Sequence, residues 1–369
     1  MRPLTLNRLL CEGQATGPCR TPGKESPLPR ITLKDIAHEV GVSVMTVSNV
    51  VNGNLDRVSP ETARRVDEAV ERLGYVPNAA ARSLAGQRSR LVGVLVPEAR
   101  DDRSLLASPH HVDVIGAVEA ELRRHDHHLL LRAVATRQDV LESVRRWGLD
   151  GVVVLGCTEA VLATLDLPSG VPAVVVDSYA DDPRLGYIRS DDRTGGRLAG
   201  EHLLDLGHER VAFAGPLGSG SRVVHERLAG LQDALADRGI DPAAVVTLDA
   251  PTTYADGVTT GTRIAAAHPQ VTAVFATADI LAAGLCRGLG RAGRQVPRDV
   301  SVLGYDDADL AEMVTPQLST VAQDSVGKGV AAARLVLAMI DGDGPRAVAP
   351  GALTLVHRES TGPRRSVTG

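Results

Sequence analysis

Seven short apolar runs, separated by stretches of helical spacing, constrain this 369-residue chain more than any other feature. The runs lie at 91–97, 129–131, 151–155, 173–176, 211–214, 273–276 and 301–304, and each reads as a buried strand. Between them, 112–124, 193–206 and 227–238 repeat apolar residues at helical spacing. Strand–helix alternation builds parallel sheets covered by helices on both faces. About 280 residues of it exceed one usual sheet, so two α/β lobes with a ligand cleft between them are expected.

Hydrophobic residues are 43% and charged residues 23%, as in soluble globular proteins. No apolar run approaches the ~18–20 residues that span a bilayer, so no membrane partner is expected. The first thirty residues lack the continuous apolar core of a signal peptide, and a cytoplasmic location is expected. Four cysteines without CxxC spacing suggest neither a disulfide framework nor a zinc knuckle. The net charge of −5 is uneven: residues 1–29 carry +2, 30–90 carry +2 and the remainder −9. That asymmetry suits a chain of which only the N-terminal region meets a polyanion. Residues 1–29, rich in Gly, Pro, Thr and Ser, read as a disordered tail.

Residues 31–77 read as an all-α unit. Thr32 can cap a first helix with Asp35 answering it, and Ile36, Ala37 and Val40 form one apolar face. Gly41 permits a left-handed turn. Ser43 then caps a second helix, with Val47, Val50 and Val51 inward and Val44, Met45, Ser48 and Asn49 on the other face. Two short helices joined this way form a helix-turn-helix, and the second is sized for a major groove. Ser59, Pro60 and Glu61 open a third helix, its core stripe Val66, Ala69, Val70 and Leu73, and Gly74 ends it. The alanine-rich stretch before Gly86 is shorter than the ~12–15 residues that hold a helix alone. It reads as a hinge, coil when free and helical when held by a partner.

The ordered words T-L-K-D-I-A at 32–37, G-V-S at 41–43, T-V-S-N-V-V-N at 46–52, V-S-P-E-T at 58–62, L-G-Y-V-P-N at 73–78 and A-R-S-L-A-G at 81–86 resemble the headpiece of the lactose-repressor (LacI) family of bacterial transcription regulators. One extra residue separates Asn52 from Val58. The resemblance continues through G-V-P-A-V-V-V-D at 170–177, L-G-H-E-R-V-A-F-A-G-P at 206–216, R-L-A-G at 227–230, V-P-R-D-V-S-V-L-G-Y-D-D at 296–307 and H-R-E-S-T at 357–361.

The resemblance implies a helix-turn-helix DNA-binding domain at 31–77, a hinge helix and linker at 78–90, a two-lobed, periplasmic-binding-protein-like domain for effector binding and dimerisation at 91–362, and a tail at 363–369. It implies a homodimeric repressor that reads a pseudo-palindromic operator in double-stranded DNA. Control would come from a small polar, sugar-like effector in the interlobe cleft. Val44, Met45 and Asn49 would meet base edges. Asn49 stands where arginine is common in the family, and its amide suits adenine where arginine suits guanine. Thr32, Ser43, Thr46, Asn52, Tyr75 and Asn78 would hold phosphates. Ala81 and Leu84 would enter the minor groove, Leu84 as a wedge at the operator centre. Asp306, Arg227, Asp177, His110, His111, Thr252 and Arg222 would line the effector cleft, with Arg222 placed in a loop. Ala278 departs from the Asn that sugar-binding members often carry. At 2% aromatic content, ring-stacking platforms for a sugar are scarce.

Two other classes fit less well. A transporter's solute receptor would share the lobes but gives no reason for the headpiece. A nucleotide-dependent enzyme needs a phosphate loop, whereas Gly218-Ser219-Gly220-Ser221 lacks the Walker lysine and reads as a flexible rim loop. No catalytic set, metal site or cofactor is expected. The His125-Asp126-His127-His128 run reads as a solvated loop, and 328–340 reads as core or dimer packing.

Overall fold

The computed structural model describes residues 31–51, 53–75, 88–98, 106–165 and 167–364. Asn52, Asn78, Ala81, Leu84 and the tail at 1–29 lie outside the described residues. Two compact units are present, one within 1–82 and the other within 83–369.

The first unit is helical. Helix α1 (Leu33–Val40) starts where the Asp35 carboxylate accepts both the backbone N–H and the hydroxyl of Thr32, at 2.7 Å each. Gly41 ends it at φ +73°, a backbone that only glycine adopts freely. Helix α2 (Val44–Val51) opens on the Ser43 hydroxyl, which accepts the Thr46 N–H at 3.0 Å. Helix α3 (Pro60–Leu73) is capped by Ser59. Ile36, Ala37, Val40, Val47, Val50, Val66 and Ala69 form the core that holds the three together.

The second unit contains two sheets. The first comprises β1 (Leu91–Pro97), β2 (His128–Val134), β3 (Gly151–Leu155), β4 (Ala173–Val176), β5 (Gly186–Ile188) and β11 (Ala347–Val348), in the spatial order β11-β5-β4-β3-β1-β2, all parallel. The second comprises β6 (Val211–Gly215), β7 (Val246–Asp249), β8 (Ala273–Ala276), β9 (Ser301–Asp306), β10 (Ser319–Ala322) and β12 (Thr354–Val356), ordered β12-β10-β9-β8-β6-β7. Only β12 runs antiparallel among these pairings.

Alternate residues of each central strand feed opposite faces, as the two-residue strand period requires. In the first lobe, Val153 and Val174 pack under α4 (Pro109–Arg124) and α12 (Ser325–Ile340), while Val152 and Val154 pack under α5 (Arg137–Trp147) and α6 (Glu159–Leu165). In the second lobe, Phe213 and Phe275 pack under α7 (Asp192–Asp205) and α8 (Arg222–Asp237). Ala214 and Ala276 pack under α9 (Tyr254–Ala267) and α10 (Asp279–Arg291). A short helix, α11 (Leu310–Met313), follows β9. The chain passes between lobes after β5, after β10 and after β11.

All seven apolar runs are strands, and two helices begin earlier than their apolar spacing suggests. Ser108 and Pro109 supply a cap and a first helical residue for α4, which brings His110 and His111 into its first turn. Arg222 is the first residue of α8 and not part of a loop, which corrects that expectation. Gly218 is likewise held in a 3-10 turn, its N–H donating to Asp249 at 2.9 Å. The 328–340 stretch is core of the first lobe: Ala332, Ala333, Leu335 and Val336 are buried beneath its sheet.

Candidate functional site

In the helical unit, the inner face of α2 is sealed by Val47 and Val50, which leaves the opposite face available. Val44 is 41% and Met45 71% exposed, unusual for side chains of this size. Asn49 and Thr46 are half-buried beside them, Thr46 bonded to the Ser43 hydroxyl at 2.9 Å. Thr32 is exposed at the start of α1, and Tyr75 packs against the headpiece core after α3. Val44, Met45 and Asn49 thus share one helix, with Ser43 at its cap and the α1 N-terminus nearby in sequence.

In the two-lobed unit, polar side chains converge where the C-terminal strand ends of both sheets meet. Asp177 follows β4 and Asp306 ends β9; both adopt positive φ, +56° and +116°. Non-glycine residues in such backbone are strained and concentrate at functional sites. His110 joins Asp177 through Nε2 at 2.7 Å and Ser325 through Nδ1 at 2.8 Å. Lys328, fully buried on α12, donates to Asp177 and, at 2.6 Å, to the Gln323 carbonyl. The Gln323 amide donates to Asp306 Oδ1 at 2.6 Å. A continuous chain of polar contacts thus runs from a strand end of the first lobe to a strand end of the second.

Arg227 anchors a second cluster. Its Nε donates to Asp192 at 2.9 Å, its Nη1 to the Thr277 carbonyl at 2.8 Å, and its guanidinium lies 3.5 Å from the Tyr305 ring centroid. The Tyr179 hydroxyl donates to the other Asp192 oxygen at 3.1 Å. Arg222 lies at the edge of this cluster: its guanidinium sits 5.3 Å from the Tyr179 ring and pairs with Glu226 at 3.3 Å. Thr252 is half-buried in the turn before α9, and Thr253, not Thr252, caps that helix.

Burial dominates the electrostatics. It would raise the Asp177 carboxyl, but Lys328 and His110 outweigh it and hold that group far below the usual carboxylate range. Burial raises Asp306, opposed by His110 and Arg227. Burial and then the Asp306 charge raise Asp279, which ligates only neutral donors, the Thr320 hydroxyl at 2.7 Å and the Ala308 N–H at 2.9 Å. His111, whose ring would lie 2.9 Å from a methyl group placed on Gly156, is pushed down to about 4 by burial and by His110.

That shift has a measurable consequence. The unfolded chain protonates His111 near 6.5 whereas the folded one resists to about 4, so stability present above pH 6.5 is lost as pH falls through that window. Urea unfolding should show the decline, and His111→Asn should flatten it; part of the slope persists through His202, also held down at about 4. A His111→Asn profile as steep as wild type would contradict the buried neutral imidazole.

Sequence reasoning brought together Asp177, Asp306, Arg227 and His110 but missed Lys328, Gln323, Asp192, Asp279 and Tyr179. Their signal was weak: Lys328 and Gln323 flank the start of a helix that reads as simple core, and a lysine there ordinarily reaches solvent.

Residues 32–78 match the family model of bacterial regulatory proteins, lacI family, and 201–361 match the periplasmic binding protein-like domain. The HTH-type transcriptional regulator CelR of Thermobifida fusca is 34% identical over 325 residues, covering 85% of this chain and 93% of CelR. A solved CelR–cellobiose complex superposes with a TM-score of 0.66 at 32% identity, covering 90% of this chain and 100% of that one. The lac repressor dimer bound to operator and the anti-inducer ONPF superposes with a TM-score of 0.77 at 28% identity, covering 90% and 99%. Among the described residues, no helix is long and apolar enough to cross a membrane.

Proposed function

This chain belongs to the lacI family of bacterial regulatory proteins, which are transcriptional regulators and not enzymes, and from that premise we propose how its own residues perform the regulation. It is a repressor that binds a pseudo-palindromic operator as a homodimer and responds to a small sugar-like effector held between the lobes. The observation that carries the DNA-binding half is the α2 face: Met45 is 71% exposed on a helix whose other side is sealed core. An exposed methionine beside Val44 and Asn49 suits apolar contact with thymine methyls and amide pairing with adenine. Thr32, Ser43, Thr46, Asn52, Tyr75 and Asn78 hold phosphates, and Ala81 with Leu84 serves the minor groove at the hinge.

The effector half rests on the strained carboxylates Asp177 and Asp306, which terminate strands of opposite lobes and are joined through Gln323, which contacts both Lys328 and His110 on the Asp177 side. Ligand hydroxyls replace the Gln323–Asp306 bond, with Arg227, His110 and His111 around them and Arg222 and Thr252 toward the rim. Exchange of protein–protein for protein–ligand hydrogen bonds biases the lobe arrangement, and the shift in population reaches the headpieces through the dimer.

Selection of random duplexes with the full-length chain tests the first half. A palindrome should emerge, and Asn49→Ala should lose discrimination of roughly 1–2 kcal/mol at one symmetric base pair while leaving the rest of the site intact. Enrichment of no palindrome would remove this reading.

A further inference from the structure

We propose that the turn after α2, residues 53–57, is a second base-reading element, with Leu55 meeting a thymine methyl beyond the base pairs that α2 reaches; this rests on the α2 reading above. The turn lies where the chain carries one residue more than the family pattern between T-V-S-N-V-V-N and V-S-P-E-T. It is a fixed piece of structure. The Gly53 N–H donates to the Val50 carbonyl at 3.0 Å and the Asn54 N–H to the Asn49 carbonyl at 2.8 Å, with Gly53 at φ +76°. That pair of bonds is a Schellman closure, which sets the direction of the chain as it leaves the helix. Leu55–Arg57 then form a single 3-10 turn, closed by the Val58 N–H on the Leu55 carbonyl at 3.0 Å.

The apolar side chains here divide between core and solvent. Val51 and Val58, on either side of the turn, pack against the headpiece core. Leu55 instead stays 51% exposed, and the other large apolar side chains so exposed in the described headpiece are Val44 and Met45. A lone exposed leucine needs no explanation. This one is held through the backbone to the end of a base-reading helix, and so continues an interface that Val44 and Met45 begin.

Helix α2 has eight residues and spans about 12 Å, three to four base steps of a duplex. Val44 and Met45 at its start and Leu55 just past its end therefore meet different base pairs. Leucine offers no hydrogen bond, and the apolar group that a base edge presents in the major groove is the thymine methyl. Successive side chains of a 3-10 turn point a third of a turn apart, so Leu55, Asp56 and Arg57 diverge. Leu55 takes the groove, Arg57 the phosphate beside it, and Asp56 the solvent.

The test uses the full-length chain and selection of random duplexes by wild type, Asn49→Ala and Leu55→Ala, each checked for native helix content by circular dichroism. The wild-type palindrome should contain an A·T pair that Leu55→Ala relaxes and Asn49→Ala does not. Uracil in place of that thymine, which removes only the methyl, should weaken wild type by about fourfold per half-site in fluorescence anisotropy, the worth of one buried methyl group. Leu55→Ala should not distinguish the two duplexes. A Leu55→Ala variant that keeps the wild-type preference at every position overturns the proposal, and so does equal sensitivity of both proteins to uracil. If Asn49→Ala still relaxes its own base pair, α2 remains the reader and only the turn has failed; if neither variant relaxes any position, the α2 reading has failed as well.

Discussion

Lys328→Met should lower the free energy of unfolding by about 3–5 kcal/mol, the loss expected when one partner of a buried ion pair is removed and the other is stranded. The ammonium is fully buried, and its partner Asp177 is only 13% exposed in its side chain. Methionine fills the same volume, so the effect isolates charge from packing. His110 alone then faces the Asp177 carboxylate, and burial, no longer outweighed, raises that group. Two signatures separate this from a generic core defect. The deficit should shrink as the pH is lowered, because a protonated Asp177 needs no counter-charge. The double variant Lys328→Met/Asp177→Asn should recover much of the lost stability. Urea denaturation across pH measures both, and a deficit independent of pH and unrelieved by the second substitution would contradict the pairing.

Gly196→Val should cost about 3 kcal/mol or more and at the same time displace the Arg227 cluster. A methyl group at Gly196 would lie 1.9 Å from the Arg227 carbonyl oxygen, and one at Gly230 would lie 1.9 Å from the Arg193 carbonyl oxygen. Helices α7 and α8 therefore approach through hydrogen in place of side chain, and no rotamer change can relieve a clash with backbone. The pair that this approach positions, Asp192 on α7 and Arg227 on α8, is the one that ties Tyr179 to Thr277. Gly196→Val should thus lose thermal stability in the two-lobed unit and lose its response to ligand, while the headpiece, a separate compact unit with its own core, keeps its helices. Retained stability would mean that the helices can separate without cost.

Much of this was legible in the sequence because local chemistry and tertiary role agree. Thr32 with Asp35, Ser43 and Ser59 announce helix starts by capping, and the valine runs at 91–97, 151–155 and 173–176 can only be buried strands. Agreement fails where polar residues are buried. Strand β10, Ser319–Ala322, has no apolar run to announce it, and the Ser319 hydroxyl pairs with that of Thr361 at 2.7 Å and Thr320 with Asp279. Those hydroxyls are satisfied by partners some forty residues away, which no local pattern reveals. Lys328 and Gln323 were missed for the same reason: Lys328 is defined by Asp177, 151 residues away in the chain, and Gln323 by Asp306 at a strand end of the other lobe. The strands β5, β11 and β12 are two or three residues long, too short for a period to register.

The most direct test of the regulator as a whole is the affinity of the full-length chain for its selected operator, measured by fluorescence anisotropy with the ligand sites empty and then saturated by a sugar that calorimetry shows to bind. Occupancy of the junction should change the operator dissociation constant by about tenfold or more, the scale of ordinary allosteric coupling. The same change should vanish in Arg227→Ala, with operator affinity otherwise retained. An operator affinity that stays constant while the sugar binds would contradict the coupling between cleft and headpiece.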